Sequence, residues 1–407
     1  MKIYDYRYRA KRLKDGKVVK GITEAPSKAM VEKFLIENSM KPIEIYQQKS
    51  IFQSLNRITL GAVIKERDLI FYLKQLSSLL NATVKLNEAS EILATQQTNK
   101  GIRRILYGIY YEVNSGQTLA DAYKAYPKDF PQILIAMVGV GEQTGDLKGA
   151  IENIIVYFDK QYRLKSSIRS TMMMPIIYLV IGFGIAIFLT LAVMPNFTSM
   201  FESSETAEMP AITAFFIDTG DFIKGNWAAV FAGIIGFVLL FKTLKKRSER
   251  FQVFLAYLSI KMPVFGSVVK LNNLSRIAST LSQMLNNHVP LQDSLATTYD
   301  TIKNKIYKDL IVQAQKNVNA GEYMSAAFEN HYAIEVVFAR MVSVGEKTGE
   351  LGPMLKSLSA FYDEDSAIKI DALKKAIEPI LMVFIFSLIT VMLLAVMLPS
   401  LSFTQQL

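Results

Sequence analysis

The sequence predicts a mainly α, polytopic membrane protein with two homologous cytoplasmic helical bundles, three transmembrane helices and a small N-terminal α+β module. Three observations carry that prediction. Ser170–Phe201 runs for 32 residues without one Asp, Glu, Lys, Arg or His, and Pro379–Leu407 for 29. The charged stretches that precede these two runs are copies of each other. Gly contributes 21 and Pro 12 of 407 residues, below the ~12% of average usage, which argues against a turn-rich all-β chain.

Residues 1–47 stand apart as a ββαβ module. KIYDYRYRA and KVVKGITEA flank Asp15-Gly16, a hairpin signal; Pro26-Ser27 opens a short helix to about Asn38, and KPIEIYQ reads as a returning strand. No apolar h-region lies in MKIYDYRYRAKRLKDGK, so no cleavable signal peptide is expected. A linker, 48–65, leads to the first bundle, 66–169. Its stripe Leu69, Leu73, Leu76, Leu80 and the later Leu147, Ile151, Ile154, Phe158 recur with helical spacing.

A spanning helix needs ~20 apolar residues because backbone groups in hydrocarbon must pair within their own segment. The first span is placed at 171–195 and the third at 379–399, leaving a tail at 400–407. The second, 222–241, builds on the 17 uncharged residues Gly225–Phe241. It takes in Phe222 and Ile223 while Lys224 snorkels and Trp227 anchors at the interface. Between the first two spans, residues 196–221 form an outside loop, in which EMPAITAFFIDTGDFI reads as an amphipathic segment on the outer surface. The second bundle is 242–376. Lys160, Arg163, Lys165 and Arg169 precede the first span, Lys242–Arg250 follows the second, and Lys369, Lys374 and Lys375 precede the third. Positive flanks stay inside, so both bundles and the N-terminus are expected in the cytoplasm and the C-terminus outside. These cations, facing the lipid bilayer, account for much of the net charge of +10, and no nucleic-acid partner is expected.

The duplication is visible by eye. LSSLLNATVKLNEA (76–89) matches LSQMLNNHVPLQDS (281–294), SGQTLADA (115–122) matches AGEYMSAA (320–327), and VGEQTGDL (140–147) matches VGEKTGEL (344–351). The register continues into the spans, where membrane-entry prolines Pro175 and Pro379 align. Gly141, Glu142, Thr144 and Gly145, with Gly345, Glu346, Thr348 and Gly349, form the sharpest motif. Its spacing is wrong for a phosphate loop: the Walker pattern would need glycines where Met341 and Glu346 stand. As a structural turn, the glycines permit tight turning or close helix approach, and Thr144 and Thr348 are placed to cap the next helix. Asp146 and Glu350 then fall in its first turn. Glu142 and Glu346 bond backbone amides or pair with a basic residue on a partner. Zero Cys and two His leave little for thiolate or imidazole chemistry and no metal site is expected. Glu378, at the edge of the third span, aligns with Met174 and is read as reaching for the interface.

Duplicated helical domains, each carrying Gly-Glu-x-Thr-Gly-x-Leu and followed by a span with an early proline, resemble the PilC/GspF family. These are inner-membrane platform proteins of type IV pilus assembly and type II secretion, and the resemblance covers essentially the whole chain. It implies a non-enzymatic platform without cofactors in the cytoplasmic (inner) membrane. Its implied partners are itself, as a homo-oligomer, a cytoplasmic hexameric assembly or retraction ATPase, pilin or pseudopilin transmembrane helices, and other inner-membrane assembly proteins. Its implied task is to couple the ATPase to extraction and assembly of pilin-like subunits. Family members usually carry glycine where Thr83 and His288 stand, and a proline at Lys85 that survives here as Pro290. The competing class is a small transporter or channel subunit built from parallel repeats. Spans without polar chemistry argue against it.

Overall fold

The computed structural model describes residues 4–13, 16–25, 27–37, 39–47, 62–193, 195, 211–263 and 265–404; Asp15 and most of the 48–65 linker lie outside them. Tyr6, Tyr8 and Ala10 alternate with Arg7, Arg9 and Lys11, the period of a strand with one buried face. They form β1 (Tyr4–Arg12), which pairs antiparallel with β2 (Val18–Ala25) on one side and β3 (Met40–Gln47) on the other. Tyr6, Ala10 and Ile45 pack on Val31 and Leu35 of α1 (Lys28–Glu37). Pro42, which has no N–H to give a ladder, sits on the edge strand where the register slips between Arg9 and Ala10.

Beyond the linker every element among the described residues is helical. The first copy comprises α2 (Glu66–Asn81), α3 (Leu86–Gln96), α4 (Lys100–Asn114), the short α5 (Leu119–Lys124), α6 (Gln132–Thr144) and α7 (Leu147–Phe188). Then α8 (Ala211–Gly225), α9 (Trp227–Arg247) and α10 (Glu249–Lys261) intervene. The second copy comprises α11 (Phe265–Asn286), α12 (Leu291–Thr301), α13 (Lys305–Asn319), a 3₁₀ turn (Met324–Ala327), α14 (Val336–Thr348) and α15 (Leu351–Thr404). Lengths repeat with the sequence: α3 and α12 both have 11 residues, α4 and α13 both 15, α6 and α14 both 13. Caps repeat too. Asn99 Oδ1 accepts from the Gly101 amide at 2.9 Å, and Asn304 Oδ1 from the Ile306 amide at 3.0 Å.

Both copies end their first helix on a left-handed residue, Thr83 (φ 61°) and His288 (φ 63°). The amides of Val84 and Val289 reach back five residues to the carbonyls of Leu79 and Met284, each at 3.0 Å, so carbonyls orphaned by the helix end find donors. The following valine turns inward; Val289 is buried.

The described chain divides into two compact units. One gathers 1–163, 275–303 and 308–360; the other holds 164–274, 304–307 and 361–407. In the first unit the two copies do not form free-standing bundles as the linear boundaries 66–169 and 242–376 suggest. Met284 and Val289 of the second copy join the core of Leu73, Leu76, Ile109 and Ile151, and Tyr157 Oη bonds Thr280 Oγ1 at 3.0 Å. A small amphipathic bundle can bury only part of its apolar surface alone, and doubling supplies the missing wall. Within that core Tyr123 stacks on Phe130 with ring centroids 4.3 Å apart and bonds Tyr72 Oη to Oη at 2.9 Å.

In the second unit lie the apolar segments. Three helical stretches, Leu147–Val193, Trp227–Arg247 and Leu351–Leu398, are long and apolar enough to cross a membrane; α10 and α11 reach that standard only as a pair, bent by 109°. No residue of α9 is buried, and Trp227, Phe231 and Phe237 are each about two-thirds exposed. Leaving such side chains in water forfeits ~25 cal/mol per Å², a cost that lipid removes. The protein is therefore a membrane protein. With 42 and 54 residues, α7 and α15 extend about 63 and 81 Å at 1.5 Å per residue, roughly twice the ~30 Å hydrocarbon core. No helix end separates bundle from span: Ile151 and Ile154 lie in the bundle core, and the same helix continues past Pro175.

Two details differ from expectation. The second span begins at Trp227 rather than Phe222, because Gly225 and Asn226 interrupt the helix and leave Phe222 and Ile223 on α8. The spans also carry hydroxyls; that of Thr390 donates to the Phe386 carbonyl of its own helix at 2.7 Å. At the far end of the first span the helix widens into a π-turn, Leu189–Val193. There α8 inserts one face. Thr213 Oγ1 donates to the Ala395 carbonyl at 2.9 Å, Ile217 packs on Ala395, and a Cβ on Gly220 would stand 3.1 Å from the Thr190 carbonyl. The stripe 213, 217, 220 is helical. The segment expected to lie on the outer surface is thus a helix docked on the ends of two spans.

Candidate functional site

The repeated turn is built from two helix ends meeting at a glycine. α6 stops at Thr144 because Gly145 takes φ 79°, and α14 stops at Thr348 because Gly349 takes φ 76°. Neither threonine caps the following helix. Thr144 Oγ1 donates to the Val140 carbonyl and Thr348 Oγ1 to the Val344 carbonyl, both at 2.9 Å. The cap in the first copy is Asp146, whose Oδ1 accepts from the Gly149 amide at 2.9 Å. Both Thr and Asp suit such a position. The left-handed glycine decides between them, because the helix restarts only after it.

Gly141 and Gly345 serve close approach. A Cβ at Gly141 would lie 2.6 Å from Ala150 Cβ and 3.1 Å from Leu147 Cα, and one at Gly345 3.0 Å from Leu351 Cα. The start of the long helix therefore lies directly against the glycine, one turn before the preceding helix stops.

Glu142 and Glu346 then reach a segment more than twenty residues upstream. Glu142 accepts from the amides of Leu119 and Ala120, at 2.6 and 3.0 Å. Glu346 accepts from those of Met324 and Ser325, at 2.6 and 2.8 Å. Each carboxylate caps the opening turn of α5 or of its 3₁₀ counterpart, satisfying two donors that have no partner within the turn. The two repeated sequence motifs are thus one device: the acid of Gly-Glu-x-Thr-Gly holds the segment SGQTLADA or AGEYMSAA. Behind it Tyr123 is buried. Burial, then the neighbouring Tyr72 and Glu142, push its hydroxyl well above the usual tyrosine range, while burial raises Tyr72 to about 12.

Chemically the arrangement is a latch rather than a reaction centre. Its carboxylates are engaged by amides and its hydroxyls by helix carbonyls. Among the described residues no three His, Asp or Glu gather around a possible metal ion. A further pin, Asp129, is silent in the repeat comparison. Its carboxylate accepts from the Val63 and Ile64 amides, fixing the end of the linker. An Asp that precedes Phe-Pro signals a turn, but nothing local points to partners 65 residues away. Pro175 and Pro379 lie inside α7 and α15. Pro175 shares a recess with Met174 and Glu378.

Comparison with known proteins follows the same division. The family model described as type II secretion system (T2SS), protein F matches twice, over residues 72–195 and 277–399. The chain is 29% identical over 396 residues to a type II secretion system protein F of Pseudomonas aeruginosa, covering 96% of both chains. It is 26% identical over 370 residues to a type IV pilus assembly protein PilC of the same organism, covering 91% of this chain and 97% of that one. To the PilC of Myxococcus xanthus it is 28% identical over 388 residues, 95% and 92%. Two bundle-and-span copies, each with its own latch and each matched over most of its length, place this chain in the type II secretion system protein F family.

Proposed function

We propose that this protein is the cytoplasmic-membrane platform of a type IV pilus or type II secretion machine. In this reading both bundles and the N-terminal module face the cytoplasm and the C-terminus lies outside, as the cation-rich flanks of all three spans favour. The bundles dock a hexameric ATPase. The first and third spans guide pilin-like subunits out of the bilayer, and copies of the chain associate with one another. The observation that carries the proposal is the continuity of bundle helix and span, twice over, in α7 and α15. A partner that grips either bundle holds a helix that itself enters the membrane. The latch contributes stiffness, since Glu142 and Glu346 tie the start of α5 and its counterpart to the helix end beside each long helix.

The role asks for no catalysis by the platform. The test is in-membrane cross-linking to the machine's ATPase. It is expected with the whole chain and lost when the second-unit spans are kept but both bundles are removed. Unchanged cross-linking after that deletion rejects the docking role.

A further inference from the structure

Gly182 is where the first and third spans approach: a Cβ there would meet Leu388 Cδ2 at 3.7 Å and Ile385 at 3.9 Å. Beside that contact the helices leave a cleft of about 470 Å³, walled by Ile185, Ala186, Leu189, Leu388 and Met392 and without a charged side chain. Tyr178 belongs both to this cleft and to a second recess of about 200 Å³ nearer the charged end of α15. The walls of that recess change character: Ser170 and Thr171 stand on α7, Lys374 and Glu378 on α15. Pro175 lies in the same wall and has no N–H, so the Thr171 carbonyl lacks the donor a helix would give it four residues on.

An apolar trough that ends in a cation, an anion and free acceptor capacity fits an amphiphile with a zwitterionic head. A guest helix does not fit. At about 10 Å across, a helix would fill 470 Å³ with little more than one turn. We propose that the cleft between the first and third spans is a binding site for a phospholipid with a primary ammonium head group, of the phosphatidylethanolamine class. One acyl chain lies along Ala186 and Leu388, the phosphate meets Lys374, and the ammonium donates to Glu378 and the Thr171 carbonyl. Lys374 and Glu378 are one helical turn apart, which suits the two charges of such a head. A choline head has no N–H to donate, and a glycerol head brings no cation, so either leaves Glu378 unmatched.

The test uses the full chain, delipidated in detergent and offered equal amounts of phosphatidylethanolamine, phosphatidylglycerol and phosphatidylcholine with identical acyl chains. Retained lipid is counted by native mass spectrometry. Wild type is expected to retain phosphatidylethanolamine about tenfold over phosphatidylcholine, the value of one charge-assisted bond. Glu378→Gln is expected to erase that preference, Lys374→Met to weaken retention of all three, and Ala186→Phe to fill the trough and reduce total bound lipid. Equal retention of the two lipids by wild type, or an intact preference in Glu378→Gln, overturns the proposal. Should Ala186→Phe fail to fold, the head-group variants, at exposed positions, decide alone. The readout does not involve pili or secretion, so it stands or falls apart from the platform role.

Discussion

At the scale of single residues, the molecule's most informative side chains are those that hold backbone. Glu142 joins two charge-assisted bonds to the Leu119 and Ala120 amides. Removing it in Glu142→Ala strands both donors, at a cost of about 1.5–3 kcal/mol. Glu346→Ala is expected to cost a similar amount in the second copy, and thermal unfolding of the purified chain measures both. Thr83 and His288 point the opposite way. A left-handed L-residue pays about 1–2 kcal/mol, of which glycine returns all but its ~0.5–1 kcal/mol of extra chain entropy. Thr83→Gly is therefore expected to stabilise by about 0.5–1 kcal/mol. His288→Gly should gain less, since histidine tolerates this region better than a β-branched residue. A fall in stability for Thr83→Gly would show that the 2.7 Å bond from Thr83 Oγ1 to the Ala82 carbonyl outweighs the strain.

At the scale of elements, α8 is the piece whose placement depends most on fit. Its docking on the span ends rests on Thr213, Ile217 and Gly220. Because the chain has no cysteine, the pair Ile217→Cys and Ala395→Cys can be oxidised without a competing thiol, and a disulfide is expected. Adding Gly220→Leu, which drives a side chain at the Thr190 carbonyl, is expected to abolish it; persistence of the disulfide would mean that α8 is held by something other than close approach. This element also marks where sequence reading ended. Periodicity and the repeat offset gave the bundle helices, because one buried face dictates its own spacing. The residues 211–225 set Phe215, Phe216 and Phe222 beside Asp218, Asp221 and Lys224, and an amphipathic pattern alone could not say whether lipid or protein would cover the apolar positions. The latch was half legible. Repetition singled out Glu142 and Glu346, but which amides they hold depends on a fold that brings residues 119 and 142 together. Thr144 misled because two good capping residues stand two positions apart, and only the backbone angle of the intervening Gly145 decides between them.

At the scale of the whole molecule, a duplicated bundle and anchor constrain topology. In the proposed topology two copies with the same cation-before-span pattern face the same side, and α9, long and apolar enough to cross a membrane, would supply the return crossing. Reporter fusions at residues 100 and 300 are expected to give the same cytoplasmic signal. Opposite signals would dismantle the parallel arrangement and with it the platform role.

The latch also decides what an outside observer can distinguish. Glu142 and Glu346 are half-buried and spend their carboxylates on backbone amides in each half. The residue left on display between Glu and Thr is Gln143 in one half and Lys347 in the other, both exposed. Exposed acids, Asp146 and Glu350, follow in both halves, so outwardly one half is negative and the other balances its acid with Lys347. A symmetric ring pressed against this surface would therefore meet two unlike footholds, and binding would acquire a handed, head-from-tail sense from a chain that otherwise repeats itself.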